Sequence, residues 1–525
     1  MPGTYKYPGV YVEELPSSVR SIIGVGTSIT AFIGRAIKGP VNKAVLIHNF
    51  SDYQRIFGGL WAKSNMSYAV YQYFQNGGVD AIIVRVTNSA TPAKFSLTEP
   101  DTDSADLAGE LVFAASDPGL WGEGLQIEVS DATEFNADKE NGEYFNVAVY
   151  QKGDDLDKPG PLLELFRNVS LDSADPRYIG NLLVNGVSTY LRLVTAKTTG
   201  NPSVFGIYTA TSGTANDGET LQNNDVIGNE NEKTGMYALK DADLFNLLCI
   251  PAFGTESSNG DMRSPVYEDA LAFCNARRAI LIIDPPAGDM KKWGSATAAL
   301  EGINDSYVTR DKNGAIFFPR IMAPDPLEEY RLKEFDPCGA VAGVIARTDA
   351  QRGVWKAPAG IEAVLMGVPD LSVRLTNEDN GELNPKGINC LRILPDAGRV
   401  IWGSRTLRGA DSLADQWKYL PVRRTALFIE ETLFRGTQWA VFEPNDERLW
   451  SQLRLNIGAF MHSLFVKGAF QGSDPKQAYL VKCDSETTTQ TDIDAGIVNI
   501  LVGFAPLKPA EFVILKIQQL AGQEE

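Results

Sequence analysis

Apolar and polar positions change rhythm along this chain, and each change marks an element or a boundary. At the start, "YPGVYVEE" alternates, with Val10 and Val12 on one face and Tyr11 and Glu13 on the other, the period of a β-strand. Pro8 and Gly9 end it on one side and Pro16, Ser17 and Ser18 on the other, so no tight turn folds it back. Its partner strand must lie far along the chain or in another molecule. Next, "TSITAFIGRA" and "KAVLIHNF" predict strands, and "SDYQRIFGG" predicts a helix capped by Ser51 and stopped at Gly58. A second helix is expected over "MSYAVYQYFQNGG", where Met66, Ala69, Val70, Tyr73 and Phe74 share one side, followed by the buried strand "DAIIVRV".

From Thr87 to about Gly235 the rhythm shortens to runs such as "LQIEVS" and "FNVAVY", separated by loops rich in Asn, Asp and Gly. Many short strands of this kind predict a β-rich domain. Near Leu244 longer elements return. "LFNLLCIPAF", "VYEDALAFCNARR" and "AILIIDPP" read as strand, helix and strand of a βαβ unit, with a further helix over "KKWGSATAALEGI". Mixed structure follows from Gly353, and the chain closes on two apolar strand patterns, "AGIVNILVGF" and "AEFVILKIQQ". The fold class expected is multidomain α/β plus β. The divisions are an arm over 1–22, core α/β over 23–86, an inserted β-rich domain over 87–235, middle α/β over 236–352, a C-terminal core over 353–504 and an arm over 505–525.

Composition narrows the reading. With 44% hydrophobic and 22% charged residues in 525, the chain is ordinary globular protein, and its net charge of −18 is uneven. Ser96 to Ile250 holds 26 acidic against 9 basic residues, almost the whole excess, which disfavours a phosphate-backbone partner and so predicts no direct nucleic-acid contact. No signal-peptide pattern and no membrane-spanning run is present, so cytosolic folding without membrane insertion is expected. Cys249, Cys274, Cys338, Cys390 and Cys483 stand far apart, a pattern of buried free thiols and not of a zinc site or disulfide framework.

The motifs that carry chemistry fail on inspection. "GVGTSI" has Ile29 where a dinucleotide fingerprint needs glycine, and it precedes its strand. In "GNENEKT", Glu232 replaces the P-loop glycine before Lys233, and the calcium-like "DIDAG" would place its bidentate acid on Gly503. His48 and His462 are each isolated, and Glu430 with Glu431 has no cleft written around it. No cofactor, metal or catalytic residue is expected. A hydrolase or dinucleotide enzyme on the middle βαβ segment is the alternative.

Several long stretches resemble the tail sheath proteins of contractile phage tails and related contractile injection systems. These are "YPGVYVEE", "GVGTSITAFIGRAIKGPVN" and "NGGVDAIIVRV" near the start, then "GINCLRILPDAGRVIWGSRTL", "WKYLPVRRTALFIEETLFRGTQWAVFEPNDERLW" and "GFAPLKPAEFVILKIQQ". The resemblance implies a structural subunit that polymerises helically with copies of itself around an inner tube protein, between a baseplate and a terminal cap. An extended, metastable sheath then contracts and drives the tube through a target envelope. It further implies assembly in bacterial or archaeal cytoplasm and terminal arms that add strands to neighbouring subunits, while the charge and polar loops of the acidic insertion predict an outward place for it. The donated residues would be Val10, Tyr11, Val12 and Glu13, with Phe512, Val513, Ile514 and Leu515 at the other end.

One local charge reversal bears on the tube. Arg399 to Lys467 holds 10 basic against 7 acidic residues, and "NDERLWSQLRLNIGAFMHSLFVKG" sets Arg448, Arg454 and Lys467 around an apolar face of Leu449, Leu453, Ile457, Phe460 and Leu464. Those three cations are the expected tube contact, with Lys418, Arg423 and Arg424 as the alternative. The same helix reads equally as a core helix whose charges face solvent.

Overall fold

Eight strands form the central sheet of the larger of two units into which the chain divides, Ser28–Gln351 with Pro358–Lys418. The structure, a computed structural model, describes residues 21–97, 111–132, 144–153, 158–184, 187–195, 205–253, 263–286, 293–304 and 307–516. The strand order is β18 (Gly398–Ile401), β17 (Ile388–Leu394), β13 (Gly314–Phe318), β12 (Ile280–Ile283), β11 (Leu247–Cys249), β1 (Thr30–Gly34), β3 (Ala81–Arg85) and β2 (Ala44–Ile47). Neighbours from β17 to β3 run parallel, while β18 and β2 close the edges antiparallel. Every residue of β1, β3, β11, β12 and β13 is buried, as continuous apolar strands covered on both faces should be.

Two expected boundaries move. Thr30 of β1 pairs with Leu247 of β11, so the segments assigned to separate core (23–86) and middle (236–352) domains share one sheet. A parallel ladder buried on both faces holds them together, and the βαβ texture read in the middle segment is this sheet's centre. The helix expected to be capped by Ser51 is Phe50–Phe57, with Asn49 as cap accepting from the Asp52 N–H at 2.8 Å. Ser51 sits inside the first turn. Gly58 closes that helix at φ +94°, a left-handed conformation that suits glycine.

Between 94 and 209 the described residues form two antiparallel sheets. One runs β10 (Gly206–Thr209), β6 (Leu125–Asp131), β7 (Tyr144–Gln151), β8 (Leu162–Ser170), and the other β4 (Lys94–Ser96), β5 (Val112–Ala115), β9 (Leu191–Thr195). Phe95, Phe113, Ile127, Phe145 and Val149 belong to their common core. The stems of this segment meet where Asn88 bridges Glu219, whose N–H donates to the Asn88 carbonyl at 2.9 Å. Leu221 and Val226 already pack in the core of the eight-stranded sheet. The C-terminal stem therefore stands near 219, because the residues from 221 onward bury apolar side chains elsewhere. A third sheet comprises β15 (Arg331–Phe335), β14 (Ile321–Asp325) and β16 (Asp370–Leu371).

The second unit is Met1–Thr27, Arg352–Ala357 and Tyr419–Glu525. Its described residues hold the helices Leu420–Gly436 and Glu447–Val466 and the two-stranded sheet of β19 (Tyr479–Lys482) and β20 (Leu501–Phe504). The C-terminal core domain expected over 353–504 therefore divides: Pro358–Lys418, with β17 and β18, belongs to the larger unit, and the residues from Tyr419 onward belong to the second.

Candidate assembly interface

The helix Glu447–Val466 is the platform of the second unit. Asp446 caps it by accepting from the N–H groups of Arg448 and Leu449, both at 3.0 Å. Leu449, Leu453, Ile457, Phe460 and Leu464 are buried, as their spacing predicts. Against the second half of this helix lie β19 and β20, antiparallel, with Tyr479 opposite Phe504 and Val481 opposite Val502. These four side chains join the cluster of Ile457, Phe460, Met461 and Leu464. Leu480 and Leu501 point to the other face and are about half exposed, at 52% and 53%.

A two-stranded sheet is the smallest unit that can be extended, and among the described residues neither outer edge meets a third strand, the β20 side being closed only beyond the strand, where Phe470 bridges Pro506. The Ala505 N–H donates to the Ala478 carbonyl at 2.8 Å, which fixes the phase of the antiparallel ladder. Alternation then turns the main-chain groups of Tyr479 and Val481 on one edge, and of Val502 and Phe504 on the other, outward.

The chain leaves β20 through "APLKPAE", in which Pro506 and Pro509 hinder a reversal. Tyr419 donates to the Glu511 carboxylate at 3.3 Å, and after that tether Phe512, Val513, Ile514 and Leu515 are 75–82% exposed. These four pair with no strand among the described residues. Four consecutive uncovered apolar residues are unusual on the surface of a soluble subunit. Val10, Tyr11, Val12 and Glu13, expected at the opposite arm, lie outside the described residues.

The three cations expected at the tube differ in setting. Arg448 and Lys467 are exposed near the two ends of the helix. Arg454 is engaged within the unit, donating to the Cys483 carbonyl and pairing with Glu447 at 2.5 Å. In the alternative set, Arg423 and Arg424 are buried, bound to Glu430 and the Thr27 carbonyl, and Lys418 of the other unit pairs with Asp411 at 2.6 Å.

A buried ionic cluster stands where an α/β enzyme would carry its site, past the C-terminal ends of β12 and β13. Arg263 pairs with Asp284 at 3.4 Å and Asp336 at 3.6 Å, and Arg320 pairs with Asp336 and with Glu334 at 2.8 Å. The amides of Cys338 and Ala252 donate to Asp284 and Asp336 at 2.8 and 2.6 Å. Burial and the neighbouring Asp336 push the Asp284 carboxyl up to about 7 against the pull of Arg263, whereas Arg320 and Arg263 hold Asp336 below the usual range in spite of its burial. Arg263, Asp284 and Asp336 are almost wholly buried, so the cluster offers no face to a substrate. Sequence reasoning missed it; the available signal was a charged residue directly after apolar runs, as in "AILIIDPP" and "FFPR". The five cysteines are free and buried, as their spacing predicts. His48 pairs with Asp80 at 2.8 Å and His462 contacts Tyr479 at 3.3 Å, neither near the cluster's residues in sequence or bonding.

Comparison with known proteins gives a consistent set. Residues 225–407 match the phage tail sheath protein central domain and residues 413–519 the phage tail sheath C-terminal domain, together more than half of the chain. A tail sheath protein of Vibrio phage KVP40 is 23% identical over 300 residues, 54% of this chain and 43% of that protein. The tail sheath protein of Enterobacteria phage T4 is 24% identical over 247 residues, 45% of this chain and 34% of that protein. The chain thus spans less than half the length of these curated relatives. Among solved structures, the helical sheath of the anti-feeding prophage in its contracted state is similar at TM-score 0.58 and 24% identity, covering 98% of this chain and 100% of that one. The sheath complex of the extracellular contractile injection system PVC, also contracted, gives TM-score 0.58 and 21% identity, with 98% of each chain covered.

Proposed function

The chain belongs to the phage tail sheath protein family, and from that premise we propose that it is a structural subunit of a contractile sheath, not an enzyme. Copies polymerise helically around an inner tube, between a baseplate and a terminal cap, inside the bacterial or archaeal cell that builds the particle. The extended sheath is metastable, and its contraction drives the tube through a target envelope.

The observation that carries this reading is the pairing, on one unit, of a two-stranded sheet whose edges meet no third strand among the described residues and an uncovered apolar tail, Phe512 to Leu515. Each is what the other lacks. A donated strand contributes main-chain hydrogen bonds of about 0.5 to 1.5 kcal/mol each, with alternate side chains fixing register. Phe512–Leu515 of one neighbour adds at one edge and Val10–Glu13 of another at the opposite edge. The contact is heterologous and does not close, so it propagates as a helical lattice. Its arms stay bound while the bodies they join change packing, and the difference between the two packings stores the work of contraction.

The segment between Asn88 and Glu219 stands on the outside of the cylinder, where its acidic loops meet water. Arg448 and Lys467, together with the less accessible Arg454, face the tube in a screened contact that aligns sheath and tube and releases during sliding. The test is electron microscopy of particles from cells expressing the full chain or a chain lacking Met1–Ser18. Cylinders from the first and only soluble, folded subunits from the second are expected. Regular cylinders from the truncated chain overturn strand donation by that arm.

A further inference from the structure

The loop between the two long helices carries an apolar knob with no cover. Phe442 is fully exposed, at 104%, and Val441 beside it is 63% exposed. Phe442 also holds φ +68°, a left-handed backbone that a bulky L-residue adopts only under strain. The loop around it is firmly fixed. Ala440 N–H donates to Thr437 at 2.9 Å, Glu443 N–H to Ala440 at 3.2 Å, Asn445 Nδ2 to Ile497 at 3.0 Å and Trp450 Nε1 to Asn445 at 2.8 Å. A strained, solvated aromatic on a rigid loop does nothing for the stability of its own subunit. Such a residue is suited to act as an anchor that fills a pocket on a partner.

A matching feature lies on the outer face of β19 and β20. Leu480 stands opposite Gly503, so the face has a gap where a side chain would be, walled by Leu480 and by Leu501 two residues along β20. A glycine on a sheet face is a place where an aromatic ring from elsewhere can lie flat against the backbone. The tail supports burial on this side too. Phe512, Val513, Ile514 and Leu515 are apolar on both faces, whereas a strand destined for a sheet with one wet face would alternate with polar residues. Lys482 stands at the rim of the gap, and Glu443 follows the knob directly.

We propose that the Val441–Phe442 knob of one copy docks into the Gly503 notch on the outer face of β19–β20 of a second copy. The inference rests on the sheath reading, since it needs copies side by side, and it adds a side-chain contact to the main-chain exchange at the same sheet. Knob and notch occur on every copy, so the contact repeats in an open series.

Two variants and a crosslink test it in the full chain. Phe442→Asn suits the left-handed backbone, so the free subunit should melt at or above the wild-type temperature while the yield of cylinders falls at least tenfold. Gly503→Val fills the notch with a good strand former, and should likewise keep the subunit's melting temperature and lower the yield. Because all five native cysteines are buried, Phe442→Cys and Leu501→Cys chains can be co-expressed and oxidised with little background. A disulfide joining the two chains is expected in cylinders and not in free subunits. Phe442→Asn cylinders of normal yield, or a Phe442→Cys crosslink to the tube or to nothing, overturn the knob. Absence of cylinders from the wild-type chain overturns the sheath reading itself.

Discussion

Arg454 donates to the backbone carbonyl of Cys483, tying the middle of the Glu447–Val466 helix to the residue that follows β19. Its second partner, Glu447, is 64% exposed and adds little, so the carbonyl contact carries the effect. Arg454→Glu should lower subunit stability by about 1 to 2 kcal/mol by leaving that carbonyl unpaired and placing a carboxylate against it. Arg448→Glu and Lys467→Glu should leave the melting temperature unchanged. The tube contact is therefore read from the latter pair, as sheaths without tubes or as short particles. Normal extended particles from Arg448→Glu with Lys467→Glu would put the tube contact elsewhere.

The tail can be altered without touching the fold. Val513 and Ile514 are about 80% exposed, so Val513→Asp and Ile514→Asp should change stability by less than about 0.5 kcal/mol and raise solubility. Cylinder formation should be lost in the double variant, because whichever of the two faces the inner core of the composite sheet would bury a charge. Sedimentation of the assembled fraction, beside a melting curve of the free subunit, decides it.

Two excisions should behave oppositely. Joining residue 88 to 219 through a short Gly-Ser linker removes the two antiparallel sheets at stems that already touch, and the remaining chain should fold and assemble. Extending the cut to 87–235 also removes Leu221 and Val226 from the larger core and should destabilise it by about 2 kcal/mol or more. Circular dichroism and melting curves of the two deletions separate them. Equal stability would place the stem boundary wrongly.

Asp284 gives the fold a pH dependence of definite sign. Its folded carboxyl titrates near 7 and its unfolded one near the ordinary ~3.9, so between roughly pH 4 and 7 the folded state holds a proton that the unfolded state has released. This contribution is present in acid, falls as pH rises through that window, and is flat above it. Asp336, shifted downward, acts with the opposite sign and only below about pH 4. Asp284→Asn removes the titration, so its stability relative to wild type should improve by about 1 kcal/mol or more between pH 5 and pH 8. A constant difference in melting temperature across that range would show that Asp284 does not titrate there.

How much of this was legible depended on whether the pattern was local. The continuous apolar runs of β1, β3, β12 and β13 and the stripe Leu449 to Leu464 announce themselves, because period and burial are properties of short windows. The joining of β1 to β11 across more than 200 residues of sequence is a long-range pairing that no window contains, and so one sheet was read as two domains. Asn49 was missed as a cap because Ser51 is an equally good cap residue and only backbone geometry separates them. At the interface, the tail's four apolar residues were plain in sequence. The knob at Phe442 was not, since an aromatic in "TQWAVFEP" reads as core until its exposure is seen.

Pro506 and Pro509 decide whether a subunit can satisfy itself. Had a two-residue turn followed β20, the apolar tail would fold back on its own sheet in cis, and a finished monomer would have no reason to associate. Seven residues, Ala505 to Glu511, separate Phe504 from Phe512, and with two prolines they favour an extended path of about 3 Å per residue. On the strand donation proposed above, self-capture is thereby slow, and pairing is a bimolecular event that rises with local concentration. The same proposal implies that newly made subunits accumulate without spending their edges and that growth is fastest where copies are already gathered, at the end of a started cylinder.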